Sequence, residues 1–415
     1  MLSVNSFVGI KHGLTRALRI RSYLALWIGH TVSAFGSSLH RLALAWWVME
    51  ESGSALTMGI VMICAIVPMV PFMLIGGAVA DRFDRVRVLL YADIGRGALS
   101  GLLAFLMATD QLELWHVYVT ATLFGVVDSF FMPAVNAVLP AIVPPEDRSS
   151  AISLRALSSQ LASILGPMAA AAVISIGSSS LAFAIDAGTF VVSALAVVPL
   201  LRLSLKVKRQ DGGQVTIFAD IREGFAFVKR EPWLWISLVA FVFITAAAAP
   251  MYSIGLTYII VEDRHYDASV LGIVEGLASA GTVVAALWLG RRARLAKRGW
   301  VIYGWVILIG AVVIGFGLPI SIYGIAGLAI LGGFGNSVIF LVWTSLMQDR
   351  VPEEQFGRVS SIDSVGGIVS VPFGMAVIGW ALDRGDTLIV CAVAGGVVML
   401  SGALSLLHPK MREID

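Results

Sequence analysis

The sequence predicts an all-α polytopic membrane protein, twelve transmembrane helices arranged as two six-helix halves. Three observations carry this. Of the 415 residues, 58% are hydrophobic and 13% charged, with a mean hydropathy of +0.88, whereas a soluble domain carries about 25% charge. Apolar runs of about 20 residues recur from end to end, each long enough as a helix to cross a hydrocarbon core of about 30 Å. Two similar segments, "VPPEDRSSAIS" at 143–153 and "VPEEQFGRVSS" at 351–361, stand 208 residues apart, nearly half the chain. A soluble fold would have to bury a dozen all-round apolar helices in one core, more than a chain of this size can enclose.

The elements follow in order. The tail 1–21 carries Lys11, Arg16, Arg19 and Arg21 and leads into the first apolar run without a small-residue cleavage motif, so that run is expected to persist as a helix. The first half, 22–201, holds spans at 22–49, 54–79, 88–108, 114–136, 151–175 and 179–201. The second, 234–407, holds spans at 234–260, 269–289, 300–317, 321–347, 358–381 and 387–407, and 408–415 is a short tail. Helices are required because backbone groups in lipid must bond within their own segment, and the runs are too long for barrel strands of about ten residues. Between the halves, 202–233 forms a linker in which basic "KVKRQDGGQ" precedes Ile217, Phe218, Ile221, Phe225 and Val228 at near-helical spacing. That spacing predicts a short helix, either lying in the membrane interface or packed on the protein.

Loop charge sets the orientation. With the N-terminus inside, the inner segments hold four Lys/Arg in the tail, then Arg82, Arg85 and Arg87, Arg148, seven in the linker, and Arg291, Arg292, Arg294, Lys297 and Arg298. The outer loops hold only Arg264 and Arg384 among acids such as Glu50, Glu51, Asp110, Glu262 and Asp383. This positive-inside bias places both termini in the cytoplasm.

Several function classes drop out. Cys64 and Cys391 lie far apart in apolar runs, and the six histidines form no ligand-like pair, so no metal site is expected. "GGFGN" at 332–336 lacks the Lys-Ser/Thr ending of a nucleotide loop, so no nucleotide or other cofactor is expected, and no constellation points to an enzyme. A formal charge of +2 gives no reason to propose a nucleic-acid partner.

At "GGAVADRFDRVRV", residues 76–88, the chain resembles the major facilitator superfamily, whose second and third helices are joined by Gly-x-x-x-Asp-Arg-x-Gly-Arg-Arg. Gly77, Asp81, Arg82 and Arg85 match, and Asp84 stands at the second glycine position, where its tolerance of a left-handed turn would spare the loop. The resemblance implies a conformational latch at these residues; anchoring the loop inside by charge alone is the plainer alternative. In the fifth span, Ala162-x-x-x-Gly166-Pro167-x-x-Ala170-Ala171 is similar to the Gly-x-x-x-Gly-Pro-x-x-Gly-Gly of the antiporter branches, with alanine at three glycine positions. Small residues permit close helix contact and the proline favours a bend. "LPAIVPPEDRSSAISL" (139–154) and "IREGFAFVKREPWLW" (221–235) resemble the bacterial macrolide-efflux and enterobactin-exporter group. One departure is Ala121, four residues before Gly125, where many drug/proton antiporters carry an arginine.

Ionisable side chains in a span are costly and usually face the bundle interior or a wet cavity. Asp93 and Arg96 share a helical face in the third span, and Asp128 on the fourth reaches a similar depth, about 8 to 12 Å from the inner end. The trio is either a proton-sensitive latch or a permanent ion pair. Arg41, Asp186 and Glu275 fall about 9 to 12 Å below the outer boundary and face a cavity, pair internally or, for Arg41, snorkel outward. The 208-residue offset also sets Gly166 on Gly374 and Arg155 on Asp363, the latter two able to pair across the halves or to bind lipid phosphate and backbone separately.

The expectation is therefore a monomeric secondary transporter in the bacterial inner (plasma) membrane. The resemblance implies export of amphipathic small molecules, as in drug efflux, with protons as coupling ion and membrane lipids as surroundings. The alternatives are a lipid or metabolite transporter of the same fold, or a membrane sensor or scaffold that moves nothing.

Overall fold

The computed structural model describes residues 15–203, 225–291 and 296–413, and side chains throughout these except at 74–82 and 353. All regular structure among the described residues is helical. Six long helices come first: α1 (Arg21–Ser52), α2 (Ala55–Arg82), α3 (Arg85–Ala108), α4 (Leu114–Ile142), α5 (Arg148–Ile176) and α6 (Ser179–Val197). After the linker come α7 (Pro232–Asp263), α8 (Ala268–Gly290), α9 (Arg298–Gly317), α10 (Ile322–Arg350), α11 (Glu353–Arg384) and α12 (Thr387–Leu407). Eleven of these are apolar and long enough to cross a membrane; α1 interrupts its apolar residues with Ser33, Ser38, His40 and Arg41. The helix expected around 217–228 falls mostly on 204–224, outside the described residues.

Several helices outrun their apolar stretch. α4 extends to Ile142 where the hydropathy suggests 136, and α11 spans Glu353–Arg384 where it suggests 358–381. The internal hydrogen-bond ladder does not stop where lipid does, so polar ends such as "EEQFGR" continue the helix.

Two compact units form. The first comprises Met1–Trp47 and Cys64–Arg209, the second Val48–Ile63 and Gln210–Asp415. In the first, α3 packs against α6 and α4; in the second, α9 packs against α12 and α10, and α7 against α11. The pairing α3 with α6 thus recurs six helices later as α9 with α12. The core of the first unit gathers Leu26 from α1, Val86 and Leu89 from α3, Phe131 and Val135 from α4, and Val197 from α6.

Two junctions correct or extend the sequence reading. Asp84 adopts φ −63°, ψ 117°, extended rather than left-handed, and its carboxylate accepts from the backbone N–H of Val86 and Arg87. It is the N-cap of α3, a task glycine cannot perform with a side chain. Between α1 and α2, Gly53 takes the left-handed φ of +57° that lets the chain reverse. The N-terminus of α2 is then capped from the far end of the chain: Asp383 accepts from Ser54 Oγ at 2.5 Å, Ala55 N–H at 2.7 Å and Leu56 N–H at 3.2 Å, all within the second unit.

In α7, Pro250 is followed by two π-helical turns, Met251–Gly255 and Ile259–Asp263. Wide turns of this kind accommodate an interrupted ladder without ending the helix.

Candidate functional site

The first unit concentrates its buried charge on facing surfaces of four helices. α3 places Asp93, Arg96 and Ser100 at intervals of three and four residues, one turn apart on a single face, and all are buried. α6 answers with Asp186 and Ser193, two turns apart and buried. α1 contributes His40 and α4 contributes Asp128. Polar groups in such a setting must satisfy one another, since nothing apolar around them can.

The inner cluster centres on Arg96. Its Nη2 donates to Asp93 Oδ1 at 2.6 Å and its Nη1 to Asp128 Oδ1 at 3.0 Å. Ser193 Oγ donates to the other Asp93 oxygen at 2.7 Å, so that carboxylate is fully held. The guanidinium lies over the Phe131 ring, 3.9 Å from its centroid, with Phe190 at 4.7 Å on the α6 side. Asp93 is sealed from solvent, whereas the Asp128 side chain is 42% exposed. Two carboxylates of unequal access therefore share one cation.

One to two turns along the same helices lies a second cluster. Ser100 Oγ donates to Asp186 Oδ2 at 2.6 Å, and His40 Nδ1 approaches the same oxygen at 3.0 Å and Ser100 Oγ at 3.2 Å. The His40 ring is boxed by Phe124 and Phe183, with centroids 5.3 and 5.0 Å away. Asp186 Oδ1 has no hydrogen-bond partner among the described residues. Close approach is possible because Gly36 stands opposite, where any side chain would collide with Asp186 and Thr189.

Of the residues singled out in the sequence, Asp93, Arg96 and Asp128 come together, and Asp186 acquires His40 and Ser100. Neither of these two is marked by the sequence as a partner of Asp186, because each reaches it only when its helix packs against α6. The usable signal was Asp186 itself, an acid in a span that demands a partner on a neighbouring helix. Arg41, next to His40, turns to the exposed side of α1, and Glu275 is half-buried on α8 in the second unit. Ala162, Gly166, Pro167, Ala170 and Ala171 are all buried on α5, with Gly166 against Ser38 of α1. Arg155 donates to Asn136 Oδ1 at 3.2 Å in the first unit, and Asp363 accepts from Trp343 Nε1 at 3.2 Å in the second. Arg85 donates to the Ala137 carbonyl at 2.9 Å, tying the start of α3 to α4. The side chains at Gly77, Asp81 and Arg82 lie outside the described residues.

The family model described as Major Facilitator Superfamily matches residues 26–362, and again 242–413. The chain is 26% identical over 406 residues to the uncharacterized MFS-type transporter YfiS of Bacillus subtilis (strain 168), covering 95% of this chain and 94% of that one. It is 24% identical over 393 residues to macrolide efflux protein A of Streptococcus pyogenes, covering 89% and 93%. The crystal structure of the nucleoside transporter NupG superposes with a TM-score of 0.75 at 12% identity, covering 93% of this chain and 99% of the other, a likeness of fold.

Proposed function

The chain belongs to the major facilitator superfamily, a family of transporters rather than enzymes, and from that premise we propose that it exports amphipathic small molecules by proton antiport. The carrying observation is the charge balance around Arg96. Asp93 and Asp128 share one guanidinium, so the trio is one positive charge short of neutrality. A proton arriving from an aqueous path meets Asp128, whose side chain is the exposed one. Protonating it neutralises the trio and weakens the Arg96 Nη1 contact while the Asp93 pair survives. The site then has two states separated by one proton, and a conformational equilibrium coupled to it shifts with proton binding.

The Asp186 cluster places a second buried carboxylate in the same unit. Whole-length similarity to macrolide efflux protein A supports a bulky amphipathic cargo and the outward direction. The positive-inside charge distribution supports cytoplasmic termini.

The test is transport in liposomes with an imposed pH gradient, using ethidium and a macrolide as cargo. Asp128→Asn should abolish gradient-driven exchange while leaving substrate binding in place. Equal flux with and without the gradient in the unmodified protein would remove proton coupling, and normal driven exchange by Asp128→Asn would remove Asp128 from it.

A further inference from the structure

In the second unit, Asp363 lies ten residues into α11, about 15 Å along the helix. A carboxylate at such a place in a span is costly unless a cation offsets it. Among the described residues no Lys, Arg or His pairs with it. The helices packed on α11 bring no titratable side chain to its level. Between Pro232 and Pro250 α7 has none, and its Tyr252, Tyr258, Glu262 and Asp263 lie about 16 Å or more beyond Phe241. On α12 the only such group is Cys391, near the start of that helix. On α10 there are Tyr323 in the first turn and Asp349 and Arg350 in the last, with Asp349 taken by Arg298. On α11 itself Arg358 stands five residues earlier, about 140° round the helix.

What Asp363 does have is one neutral donor. Trp343 Nε1 of α10 donates to its Oδ2 at 3.2 Å. The Trp343 side chain is buried and held edge-on by Phe241 and Trp233 of α7, with centroids 4.9 and 6.0 Å away and planes at 86° and 62°. A buried indole N–H needs an acceptor, but an asparagine amide would supply one without charge. The bond to Trp343 therefore explains an oxygen at this position and not a carboxylate.

The other oxygen, Oδ1, has no protein partner among the described residues, and it is not sealed from solvent. Beside it α11 sets small and polar residues: Gly367, Ser360 and Ser364 follow at about 40°, 60° and 100° round the helix. Gly367 has open space where a side chain would stand, and Ser364 is exposed. A different face of the same helix exposes Val365, Val369 and Phe373. That apolar stripe suits lipid, whereas the edge with hydroxyls and an open glycine suits water.

A charge among apolar helices is relieved by a counter-ion or by a proton. The described residues provide no counter-ion, which leaves the proton. Either state keeps the Trp343 bond: the carboxylate accepts through Oδ2, and the carboxylic acid accepts through the same oxygen while its Oδ1–H donates to water. Charge thus changes at a fixed geometry. We infer that Asp363 takes up and releases one proton in the transport cycle, a proton site of the second unit in addition to Asp128 of the first. The proton reaches Oδ1 from water and returns to water from it, and no other bond is made or broken. The inference rests on the antiport reading and adds a second titrating group to it.

Infrared difference spectra between pH 5.5 and 8.5, taken on the full chain in phosphatidylcholine liposomes, read the carbonyl stretch of protonated carboxyl groups without any cargo. Asp363→Asn should remove one such band, and Trp343→Phe, which keeps a ring and deletes the donor, should retain it at a shifted frequency. Identical spectra for the unmodified protein and Asp363→Asn would show a group of fixed charge and overturn the inference. Gradient-driven ethidium exchange supplies the second reading. Asp363→Asn keeps an acceptor for Trp343, so a merely structural carboxylate predicts near-normal exchange there and the greater loss in Trp343→Phe. A proton site predicts the reverse order: exchange lower by about tenfold in Asp363→Asn, within the usual range of coupling between sites, a smaller loss in Trp343→Phe, and partial recovery in Asp363→Glu. The structural order overturns the inference even where the band is present. Equal flux with and without the gradient in the unmodified protein would count against the antiport reading itself, and the infrared band alone then decides whether Asp363 binds a proton.

Discussion

Gly374 of α11 lies directly against the backbone carbonyl of Ala246 in α7, and Gly166 of α5 lies against Ser38 in α1, each contact residue exactly 208 positions after its counterpart. A side chain at Gly374 would collide with the carbonyl oxygen, the carbon and the Cα of Ala246, none of which can rotate aside. Gly374→Ala should therefore destabilise the protein by about 1–3 kcal/mol, the usual range for overpacking. Gly367→Ala, on the same helix with open space beside it, is the matched control. Thermal unfolding in detergent checks this, and equal melting of the two variants would mean that α7 and α11 part easily.

The architecture was legible because lipid imposes it: spans, loop charge and the 208-residue offset are all properties of the linear sequence. Helix ends were less legible, since Glu353 and Arg350 continue helices that hydropathy would stop. Among site residues, Asp93 and Arg96 were readable as a pair because residues three apart lie on one face of a helix. His40 and Ser100 were not, because they stand 60 residues apart and meet only when α1 packs on α3. At Asp84 the sequence predicts tolerance of a left-handed turn, whereas the backbone there is extended and the side chain caps α3.

The Asp383 carboxylate stabilises the start of α2 through three hydrogen bonds. A capping acid also meets the positive end of the helix dipole, so its loss should cost about 0.5–2 kcal/mol. Asp383→Ala should lower the melting temperature, and Asp383→Asn, which keeps an acceptor and loses the charge, should fall between it and the unmodified protein. Ser54→Ala removes one of the three bonds and also the Ser54 Oγ that accepts from the Thr57 N–H at 3.0 Å, so it should lower the melt as well. An unchanged melt for Asp383→Ala would show that α2 needs no cap from α11.

Arg96→Gln should be far more damaging than either neighbouring acid-to-amide change. It strands the sealed carboxylate of Asp93 beside that of Asp128, and breaking one partner from a buried pair costs about 3–5 kcal/mol. Asp93→Asn in the Arg96→Gln background should recover folded protein, because the uncompensated charge is gone. Monodispersity on size-exclusion chromatography reads this directly. If the double variant is no better than the single, Arg96 matters for its packing between Phe131 and Phe190 rather than for its charge.

His40, Ser100 and Asp186 converge on one carboxylate oxygen, yet they should not behave alike. Ser100→Ala deletes a neutral donor and should cost about 1 kcal/mol of stability, with the pH profile of gradient-driven exchange unmoved, since the serine does not titrate. His40→Gln removes the imidazole that meets Asp186 Oδ2 at 3.0 Å. The other charged groups facing this part of the unit, Asp93 and Arg96 on α3 and Asp128 on α4, are already paired with one another. If the cluster takes part in the proposed coupling, the pH profile shifts in His40→Gln and in Asp186→Asn, and the double variant should resemble either single one, because both remove the same His40–Asp186 contact. Liposome exchange measured between pH 5.5 and 8.5 distinguishes the cases. A stability loss with an unaltered profile in both single variants would leave the cluster a fixed polar joint between α1, α3 and α6, and would confine proton coupling in the first unit to the trio around Arg96.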